Sequence, residues 1–401
     1  MSWDYVTLDK LGTISRGKSK HRPRNDKILF GGKYPFVHTA DVKSAGLYLT
    51  EYSETYNDIG LNQSKLWPKG TLCITIAANI ADTAILGIDA CFPDSVMGFL
   101  PYEDKANVKF VKYSFDILQR DCKQISQGTA QDNLSWQKLS TIKFPAPSIE
   151  IQNKIVEILS VYDDLIENNK KQVSLLEEAA QRLYKEWFVD LHFPGYEDTK
   201  IVDGVPKGWQ IVSIMENEIF IFVKNGVNPF NGEKKYYATA DVDGTNIISN
   251  GETITYDNKP SRASVTPVEN SVWFARMSNS YKILNCFGDG LHIAEDSIIS
   301  SGFAGFTSSK EYYGFVYETI ASKKFDDEKN RFATGATQVS LTNEGLKKIK
   351  ILLPSNDVAA KYSKCVESLI LEAEKKKKEC DLLRVARDLL LPKLMSGEIE
   401  V

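Results

Sequence analysis

The sequence contains few of the residues that build metal centres or disulfide frameworks. It has six cysteines and four histidines among 401 residues. No two cysteines form a C-x-x-C pair and the histidines share no ligand spacing, so we predict neither a metal site nor a disulfide-stapled fold. Thiols scattered over a long chain are typical of a protein from a reducing compartment.

Long apolar runs and an excess of basic charge are also missing. The opening residues MSWDYVTLDK lack the apolar segment of a signal peptide, and no run approaches the roughly 20 apolar residues of a membrane helix. We therefore expect a cytoplasmic protein without membrane association. The formal net charge of −4 argues against a protein that coats nucleic acid through its phosphates alone. A sequence reader with local basic loops, or with a basic partner, remains compatible with this charge.

Catalytic motifs are weak throughout the chain. Residues 228–230, NPF, resemble the N-P-P-[FY] loop of adenine methyltransferases but lack the second proline. There is no G-K-[ST] phosphate loop, and no glycine-rich cofactor loop follows a strand pattern. The acidic residues 295–297 and 326–328 form no paired-carboxylate motif of a nuclease, and a helix N-terminus or a solvated turn explains them more simply. We predict no catalytic residues.

The sequence does contain an internal repeat. Residues 39–42 and 239–242 both read TADV, and the same spacing of 200 relates KGTLCITIAAN (69–79) to ENSVWFARMSN (269–279). Further on, MGF (97–99) matches SGF (301–303). GTAQDNLS (128–135) matches GATQVSLT (335–342) at a spacing of 207, which then holds without a gap as far as Leu183 and Leu390. One spacing kept over so many residues predicts two copies of one structural unit.

Each copy has a mixed region followed by a long helix. The runs TLCITIAA and SVWFARM are short and β-branched or aromatic, which is typical of strands. The first helix should begin near residues 148–150, and the second should run from about Val358 to Leu391, with Pro392 ending or kinking it. We predict an α/β (α+β) fold with globular domains at residues 1–147 and 192–354, the latter including a linker. Helical segments occupy residues 148–191 and 355–401, the latter with a C-terminal tail.

Both helices carry apolar residues at steps of three and four, a heptad seam that includes Ile158 and Leu165. We expect the helices to pair antiparallel as a coiled-coil spacer, with a globular domain at each end and a pseudo-twofold relation between the copies. Two independent helices, each packed on its own domain, are the alternative. Asn169 and Lys376 occupy seam positions, where a polar residue can fix register. The seam residues selected are Ile155, Tyr162, Leu176, Leu183, Tyr362, Leu369, Leu383 and Leu390.

Basic and amide side chains in loops are candidates for DNA contact. In the first copy, residues 15–27 form a basic loop that could reach phosphates, although a solvated loop is equally compatible. Arginine suits guanine edges and asparagine suits adenine edges, but asparagine also commonly caps turns. The candidates are Arg16, Lys18, Lys20, Arg22, Arg24 and Asn79 in the first copy, and Lys224, Asn225, Lys234, Arg276, Asn279, Tyr281 and Lys282 in the second.

Residues shared by both copies have a different expected role. Aspartate and threonine side chains commonly form hydrogen bonds within turns, so the repeated motifs should brace turns common to both domains. A glutamine in the second motif could tie a loop or touch a backbone phosphate. These bracing candidates are Thr39, Asp41, Gln131, Thr239, Asp241 and Gln338.

The order of these motifs over the whole chain resembles the specificity subunits of type I restriction–modification systems. A block G-x-x-Q-x-x-L-[ST] leads through I-K-x-x-x-P into each helix. The first helix ends in LLEEAAQRLYKEWFVDL, followed by VPKGWQ, and the chain closes with LLRVARDLLLPKLMSGEIEV.

The resemblance implies a DNA-recognition subunit without a catalytic site. Each globular domain would be a target-recognition domain that reads one half of an asymmetric bipartite site in double-stranded DNA, and the helices would set the gap. Two methyltransferase subunits would dock on this chain, and restriction subunits would join them. S-adenosylmethionine, ATP and magnesium would bind to those partners and not here. The alternatives are a methyltransferase or nuclease with its own activity, and a dumbbell-shaped scaffold that binds only protein.

Overall fold

The computed structural model describes residues 3–76, 82–125, 136–336 and 338–401. The chain forms two compact units, the first containing residues 1–166 and 382–401 and the second residues 167–381. Each unit therefore holds one globular domain and one end of each long helix. No helix among the described residues is long and apolar enough to span a membrane. The predicted domain boundaries themselves stay predictions.

The globular part of the first unit contains a five-stranded and a four-stranded sheet, ordered β2-β10-β7-β8-β4 and β5-β3-β9-β6, and a separate β1–β11 pair. Pairing is antiparallel except for β4 with β8 and β3 with β9. The strands are β1 Tyr5–Thr7, β2 Gly12–Arg16, β3 Phe30–Phe36, β4 Tyr48–Leu49, β5 Glu54–Tyr56, β6 Leu66–Trp67, β7 Leu72–Thr75, β8 Thr83–Leu86, β9 Ala90–Cys91, β10 Val96–Pro101 and β11 Lys143–Pro145. The short helices are α1 Thr39–Ser44, α2 Asp58–Asn62, α3 Val108–Ile125 and α4 Trp136–Leu139.

The second unit repeats this plan with two four-stranded sheets, ordered β15-β24-β21-β22 and β19-β16-β23-β20, and the two-stranded pairs β14–β25, β12–β13 and β17–β18. Its strands are β12 Ile201–Val202, β13 Val205–Pro206, β14 Gln210–Ser213, β15 Ile221–Phe222, β16 Lys234–Tyr237, β17 Val242–Asp243, β18 Asn246–Ile247, β19 Glu252–Ile254, β20 Ala263–Val265, β21 Ser271–Ala275, β22 Ile283–Cys286, β23 Ser297–Ser300, β24 Phe303–Thr307 and β25 Lys350–Leu353. Its short helices are α6 His292–Asp296, α7 Tyr313–Ala321, α8 Lys323–Phe332 and α9 Asn343–Lys348. The strands predicted from TLCITIAA and SVWFARM are confirmed as β7 and β21.

Strand register corrects one match between the copies. Gly98 on β10 lies opposite Cys73 on β7, and Gly305 on β24 lies opposite Trp273 on β21. Since Cys73 and Trp273 are themselves 200 residues apart, Gly98 corresponds to Gly305. The match of MGF to residues 301–303 was therefore wrong, and residues 304–306, AGF, are the true counterpart. The error arose because GF occurs twice within five residues of the second copy, and only strand pairing distinguishes the two.

The long helices are α5 Ile149–Phe188 and α10 Asn356–Met395, each of 40 residues. The start of α5 near residues 148–150, after two prolines, is confirmed, and α10 begins two residues before the predicted Val358. However, α10 does not end at Pro392. A proline removes a single backbone donor, and near a helix end this loss is small. Leu391 and Leu394, each 1% exposed, pack into the first unit and keep the last turn in place.

The two helices run antiparallel. In the first unit, Ile155 and Leu159 near the start of α5 share a core with Leu391 near the end of α10. In the second unit, the Tyr362 hydroxyl near the start of α10 donates to the Ala180 carbonyl, 3.0 Å away, on the later part of α5. Ile155 and Tyr362 are fully buried, while the other predicted seam residues are partly exposed: Tyr162, Leu176, Leu183, Leu369, Leu383 and Leu390 are half-buried.

The predicted seam was wrong at Ile158 and Leu165, which are 38% and 44% exposed. The buried positions lie one residue later, at Leu159 and Ile166. The reason is that α5 packs on α3 as well as on α10. The Gln152 side chain, for example, accepts the Asn107 N–H at 3.0 Å, just before α3. A helix that faces two partners buries a face centred between them.

The two polar seam residues meet at one carboxylate. The Asn169 Nδ2 donates to Glu379 Oε2 at 3.2 Å, and the Lys376 Nζ donates to the same oxygen at 2.9 Å. Residues 169 and 376 are 207 apart and so occupy matching places in the two copies. Both polar positions therefore serve one hydrogen-bonded cluster, in which neither side chain is left unpaired in the seam.

A second polar cluster surrounds Glu318, which is 2% exposed on α7. Gln181 Nε2 donates to the Glu318 carboxylate at 2.5 Å and to its carbonyl at 2.9 Å. Facing it are Glu177 on α5, and Glu374 and Lys377 on α10, with Lys377 2.9 Å from both of these carboxylates. Burial raises the pKa of Glu318 to about 8, since water cannot solvate its charged form; Gln181 and Lys377 lower the pKa and Glu177 raises it.

The stability of the second unit should therefore fall as pH rises from about 4.5 to about 8. In this window folded Glu318 keeps a proton that the unfolded chain, with an ordinary pKa of 4.5, has released. Above the pKa of folded Glu318, both the folded and the unfolded carboxyl are charged, so the free energy of unfolding no longer changes with pH through this group. Glu318→Gln should remove this dependence and be more stable than wild type above pH 8. Urea unfolding across this range measures it, and the exposed Glu311→Gln is the matched control. Equal pH dependence in both variants would contradict the prediction.

Candidate nucleic-acid interface

The basic loop, residues 15–27, is held by side chains from outside it. Gln63 Oε1, just after α2, accepts the N–H groups of Lys20 and His21 at 2.7 and 3.0 Å. The Ser64 hydroxyl donates to the Lys18 carbonyl at 2.7 Å. These bonds hold the loop through its backbone and use neither the Lys18 nor the Lys20 side chain, both of which are exposed.

The charged side chains of this loop divide into two groups. Arg22 donates to the Ser19 and His21 carbonyls, both at 2.8 Å, and Arg24 pairs with Asp94 at 2.8 Å. A second group is exposed and has no hydrogen bond or ion pair within the described parts of the chain: Arg16, Lys18, Lys20 and Lys27. Four cations are thus available for an anionic ligand, while two serve the loop itself.

His21 also belongs to the loop's internal bonding. Its Nε2 lies 2.9 Å from Asp26 Oδ2, and Asp26 Oδ1 accepts the Ile28 N–H at 3.1 Å. The hydrogen bond from His21, followed by that from Ile28, lowers the pKa of the Asp26 carboxyl. Asp26 therefore stays charged and joins His21 to the turn at residues 27–29 that precedes β3.

The second unit presents fewer free cations at the corresponding place. Lys224 and Asn225 are exposed after β15, and their side chains have no partner among the residues described. Lys234 Nζ donates to the Glu295 carbonyl at 2.6 Å and lies 5.7 Å from the centre of the Phe230 ring. Lys234 is thus already engaged within its own domain.

Three of the four candidates after β21 are bonded within the domain. Arg276 donates to the Leu341 carbonyl at 2.9 Å and to Asn343 Oδ1 at 2.8 Å, and burial lowers the pKa of its guanidinium. Tyr281 donates to the Ala321 carbonyl at 3.1 Å, and Lys282 to the Thr239 carbonyl at 2.8 Å. Asn279 differs. It is exposed, has a left-handed φ of 54°, and its side-chain amide has no partner among the described residues. The DNA-contact assignments remain predictions.

Asn79 and Gln131, the first-copy counterparts of Asn279 and Gln338, lie outside the described residues. Gln338 itself is exposed, and its Nε2 lies 3.6 Å from the Met277 sulfur. The preceding Gly335 has a φ of 142°, which only glycine adopts readily, and a Cβ there would lie 2.2 Å from the Gln338 carbonyl oxygen. Gly335 therefore occupies a place that a larger residue would not fit, and Gln338 lies on the surface beside Met277.

The repeated TADV motif forms the same hydrogen bonds in both units. Asp41 Oδ2 accepts the His38 N–H and Asp241 Oδ2 accepts the Ala238 N–H, each at 2.7 Å. A serine further along donates to each carboxylate, Ser53 in the first unit and Ser249 in the second. Thr39 and Thr239 are the first residues of the turns that these aspartates close. The shared residues thus hold the same turn in both units.

Sequence reasoning missed the side chains that hold the candidate loops. Gln63 supports the basic loop, and Asn330 on α8 supports residue 279 through a 2.8 Å hydrogen bond. No repeat or motif marks Gln63. Asn330 adjoins the acidic residues 326–328, which sequence reasoning assigned to a helix end or a solvated turn. Its function depends on contacts with a segment some fifty positions away, which spacing cannot reveal.

Comparison with known proteins agrees with the architecture. Residues 1–178 match the family described as Type I restriction modification DNA specificity domain. The chain is 24% identical to the type I restriction enzyme MjaIX specificity subunit of Methanocaldococcus jannaschii, over 100% of this chain and 94% of that protein. It is 23% identical to the type I restriction enzyme HindI specificity subunit of Haemophilus influenzae, over 97% and 98%.

The fold is also similar to that of a solved protein. The crystal structure of the type I restriction–modification system S subunit from M. genitalium superposes with a TM-score of 0.51 at 18% identity, covering 98% of this chain and 96% of that one. The duplicated domain, the antiparallel helices and the full-length likeness to curated proteins point the same way. The chain is thus similar over its whole length to specificity subunits of type I restriction–modification systems, and its residues 1–178 match their DNA specificity domain.

Proposed function

We propose that this chain reads an asymmetric bipartite site in double-stranded DNA, one half with each globular domain. The observation that carries the proposal is a duplicated frame with different exposed side chains. Asp41 and Asp241 close equivalent turns, whereas the first unit offers four cations without partners among the described residues and the second offers Lys224, Asn225 and Asn279. Two like domains with unlike surfaces suit two different half-sites.

Mapping of adenine methylation in the host genome, with and without the gene, tests the proposal. We expect one methylated motif with two separated, unlike halves to disappear when the gene is deleted. If no such motif disappears while the partner genes remain active, the chain does not confer sequence specificity.

We propose that the gap between the two halves is set by α5 and α10, because both helices extend through both units. Deletion of one heptad from each helix should shorten the gap in the mapped motif and leave its two halves unchanged. Insertion of seven residues into the exposed turn between β12 and β13, at Asp203–Gly204, is the control, for which the gap should stay the same. An unchanged gap after the helix deletions would contradict a ruler function.

We propose further that the chain is not itself an enzyme. S-adenosylmethionine would be bound by the methyltransferase partners, and ATP and magnesium by the partners that complete the complex. Support comes from the weakness of every catalytic motif in the sequence. The purified chain, incubated with DNA and either S-adenosylmethionine or Mg²⁺, should neither methylate nor cleave. Activity without partners would overturn this part of the proposal.

An exposed apolar stripe on α10 suggests where a methyltransferase subunit docks. Leu382, Val385 and Leu389 are spaced by three and four residues, so they share one helix face. They are 62%, 59% and 65% exposed, whereas Leu391 and Leu394 on another face are buried. Contiguous exposed apolar side chains mark interaction sites more often than isolated ones do. The duplicated architecture is the reason for proposing two such subunits, with restriction subunits joining afterwards.

Changing all three stripe residues to serine should abolish or strongly weaken binding of the methyltransferase subunit. The chain should remain folded, because the side chains contribute little to its core. Sedimentation of the mixed purified proteins measures assembly, and thermal unfolding measures the fold. Lys364→Ser and Lys375→Ser, at exposed polar positions of the same helix, are the controls. Normal assembly of the triple variant would place the docking site elsewhere.

A further inference from the structure

The turn at residues 277–281 connects β21 to β22 and carries Asn279 at its exposed tip. Positive φ is sterically unfavourable for residues with a side chain, although asparagine tolerates it better than most. The turn is therefore expected to keep this shape only when neighbouring groups hold it. The Asn279 side chain has no partner among the residues described, and so it is available to an external ligand.

Two consecutive residues of α8 hold this turn. Asn330 Oδ1 accepts the Asn279 N–H at 2.8 Å and the Ser278 hydroxyl at 3.4 Å. Lys329 Nζ donates to the Ser280 carbonyl at 2.7 Å. Three successive residues of the turn are thus bound to α8.

Asp326 orients both of these side chains. Its Oδ1 lies 2.6 Å from Lys329 Nζ, and its Oδ2 accepts the Asn330 Nδ2 at 3.2 Å. The Lys329 side chain is 2% exposed, so its charge is compensated by Asp326 and the Ser280 carbonyl instead of water. The side chains of Asp326, Lys329 and Asn330 thus have partners on α8, and the last two also bond to the turn.

We propose that Asp326, Lys329 and Asn330 are positioning residues that fix Asn279 for reading a base in the second half-site. The inference rests on the proposed DNA-reading function and adds to it a supporting layer. A bidentate amide contact with adenine needs a fixed orientation, and the hydrogen bonds from α8 fix the backbone that carries the amide. Sequence analysis explained the acidic residues 326–328 only as a helix end or a solvated turn. The proposal gives one of them, Asp326, a function.

The test is selection of sites from a random double-stranded DNA library by the complex reconstituted with its methyltransferase subunit. We compare Asn279→Ala, Asn330→Ala and the double variant with wild type. Asn279→Ala should reduce discrimination at one position of one half-site by about ten-fold, and Asn330→Ala by a similar or smaller factor. If Asn330 acts through Asn279, the double variant should be no worse than Asn279→Ala. Discrimination in the other half-site should not change.

Two further variants separate positioning from general stability. Lys324→Ala, at an exposed position on the same helix, should behave as wild type. The exchange Asp326→Asn with Asn330→Asp keeps one charge near Lys329 and an acceptor for Asn279, and should restore discrimination lost in Asn330→Ala. Should Asn330→Ala fail to unfold cooperatively, Asn330→Ser, which is too short to reach the turn, replaces it.

The outcomes distinguish this inference from the proposed function. A loss of discrimination in Asn279→Ala but not in Asn330→Ala overturns the positioning role and leaves DNA reading intact. Additive losses in the double variant also overturn it. Unchanged preference in Asn279→Ala removes the base reader, and the inference with it, while genome methylation mapping still decides whether the chain confers specificity.

Discussion

Replacing Asp163 by alanine should destabilise the first unit by about 3–5 kcal/mol. The Asp163 side chain is 6% exposed and accepts the Tyr113 hydroxyl and the Arg387 Nη1, each at 2.5 Å. Removing the carboxylate takes away the acceptor of the buried Tyr113 hydroxyl and leaves Arg387, which is 26% exposed, with Asp388 at 3.0 Å as its remaining ion partner. Urea unfolding measures the effect.

The second unit supplies the control for this experiment. The residues 207 positions from Asp163 and Arg387 are Ile370 and Ala180, which are 4% and 1% exposed. The repeat thus places an apolar pair where the first unit has an ion pair. The triple change Tyr113→Phe, Asp163→Ile and Arg387→Ala should cost far less than Asp163→Ala, because no buried group is left unpaired. If Asp163→Ala lowers the free energy of unfolding by less than about 1 kcal/mol, the Asp163–Arg387 pair contributes no more than an exposed salt bridge and the prediction is wrong.

Neutralising the four unpaired cations of the basic loop should weaken DNA binding uniformly over all sequences. The changes are Arg16→Gln, Lys18→Gln, Lys20→Gln and Lys27→Gln. Each phosphate contact that is lost should reduce the slope of log affinity against log salt concentration by about 0.9. Base preference should persist, since phosphate contacts position the protein but do not select bases. Fluorescence anisotropy of the complex with labelled DNA over a salt series provides the measurement.

The control removes the same number of positive charges from positions outside the basic loop. Glutamine substitutions at four exposed lysines elsewhere in the first unit, Lys43, Lys69, Lys105 and Lys154, should alter affinity much less. If both sets change the salt slope equally, the effect reflects net charge and the loop is not a contact surface. Arg24→Gln is informative separately: its partner Asp94 would lose a 2.8 Å ion pair, so any change reports on loop order.

Local patterns account for what sequence reasoning identified correctly. The duplication, the strands β7 and β21, and the starts of α5 and α10 follow from spacing, β-branched runs and prolines. Each depends on neighbours within a few residues or on a long unbroken match. The resemblance to type I specificity subunits follows from the order of such motifs, and the comparisons agree with it.

Side-chain partners distant in the sequence decided the rest. Heptad spacing placed Ile158 in the seam, but packing against α3 turned α5 so that Leu159 is buried instead. The sequence did not distinguish Arg24 and Arg276 from the other candidates for DNA contact. In the structure Arg24 pairs with Asp94 and Arg276 donates to the Leu341 carbonyl, each within its own unit.

The sequence by itself determined the duplication, the element types and the resemblance to a family, since these depend on local periodicity and repeated motifs. Only the tertiary structure decided which face of each helix is buried, which cations are free and which residues support Asn279. Those properties depend on groups brought together by folding. The free energy of each contact is set by burial and by the availability of a partner, and neither is a property of any segment alone.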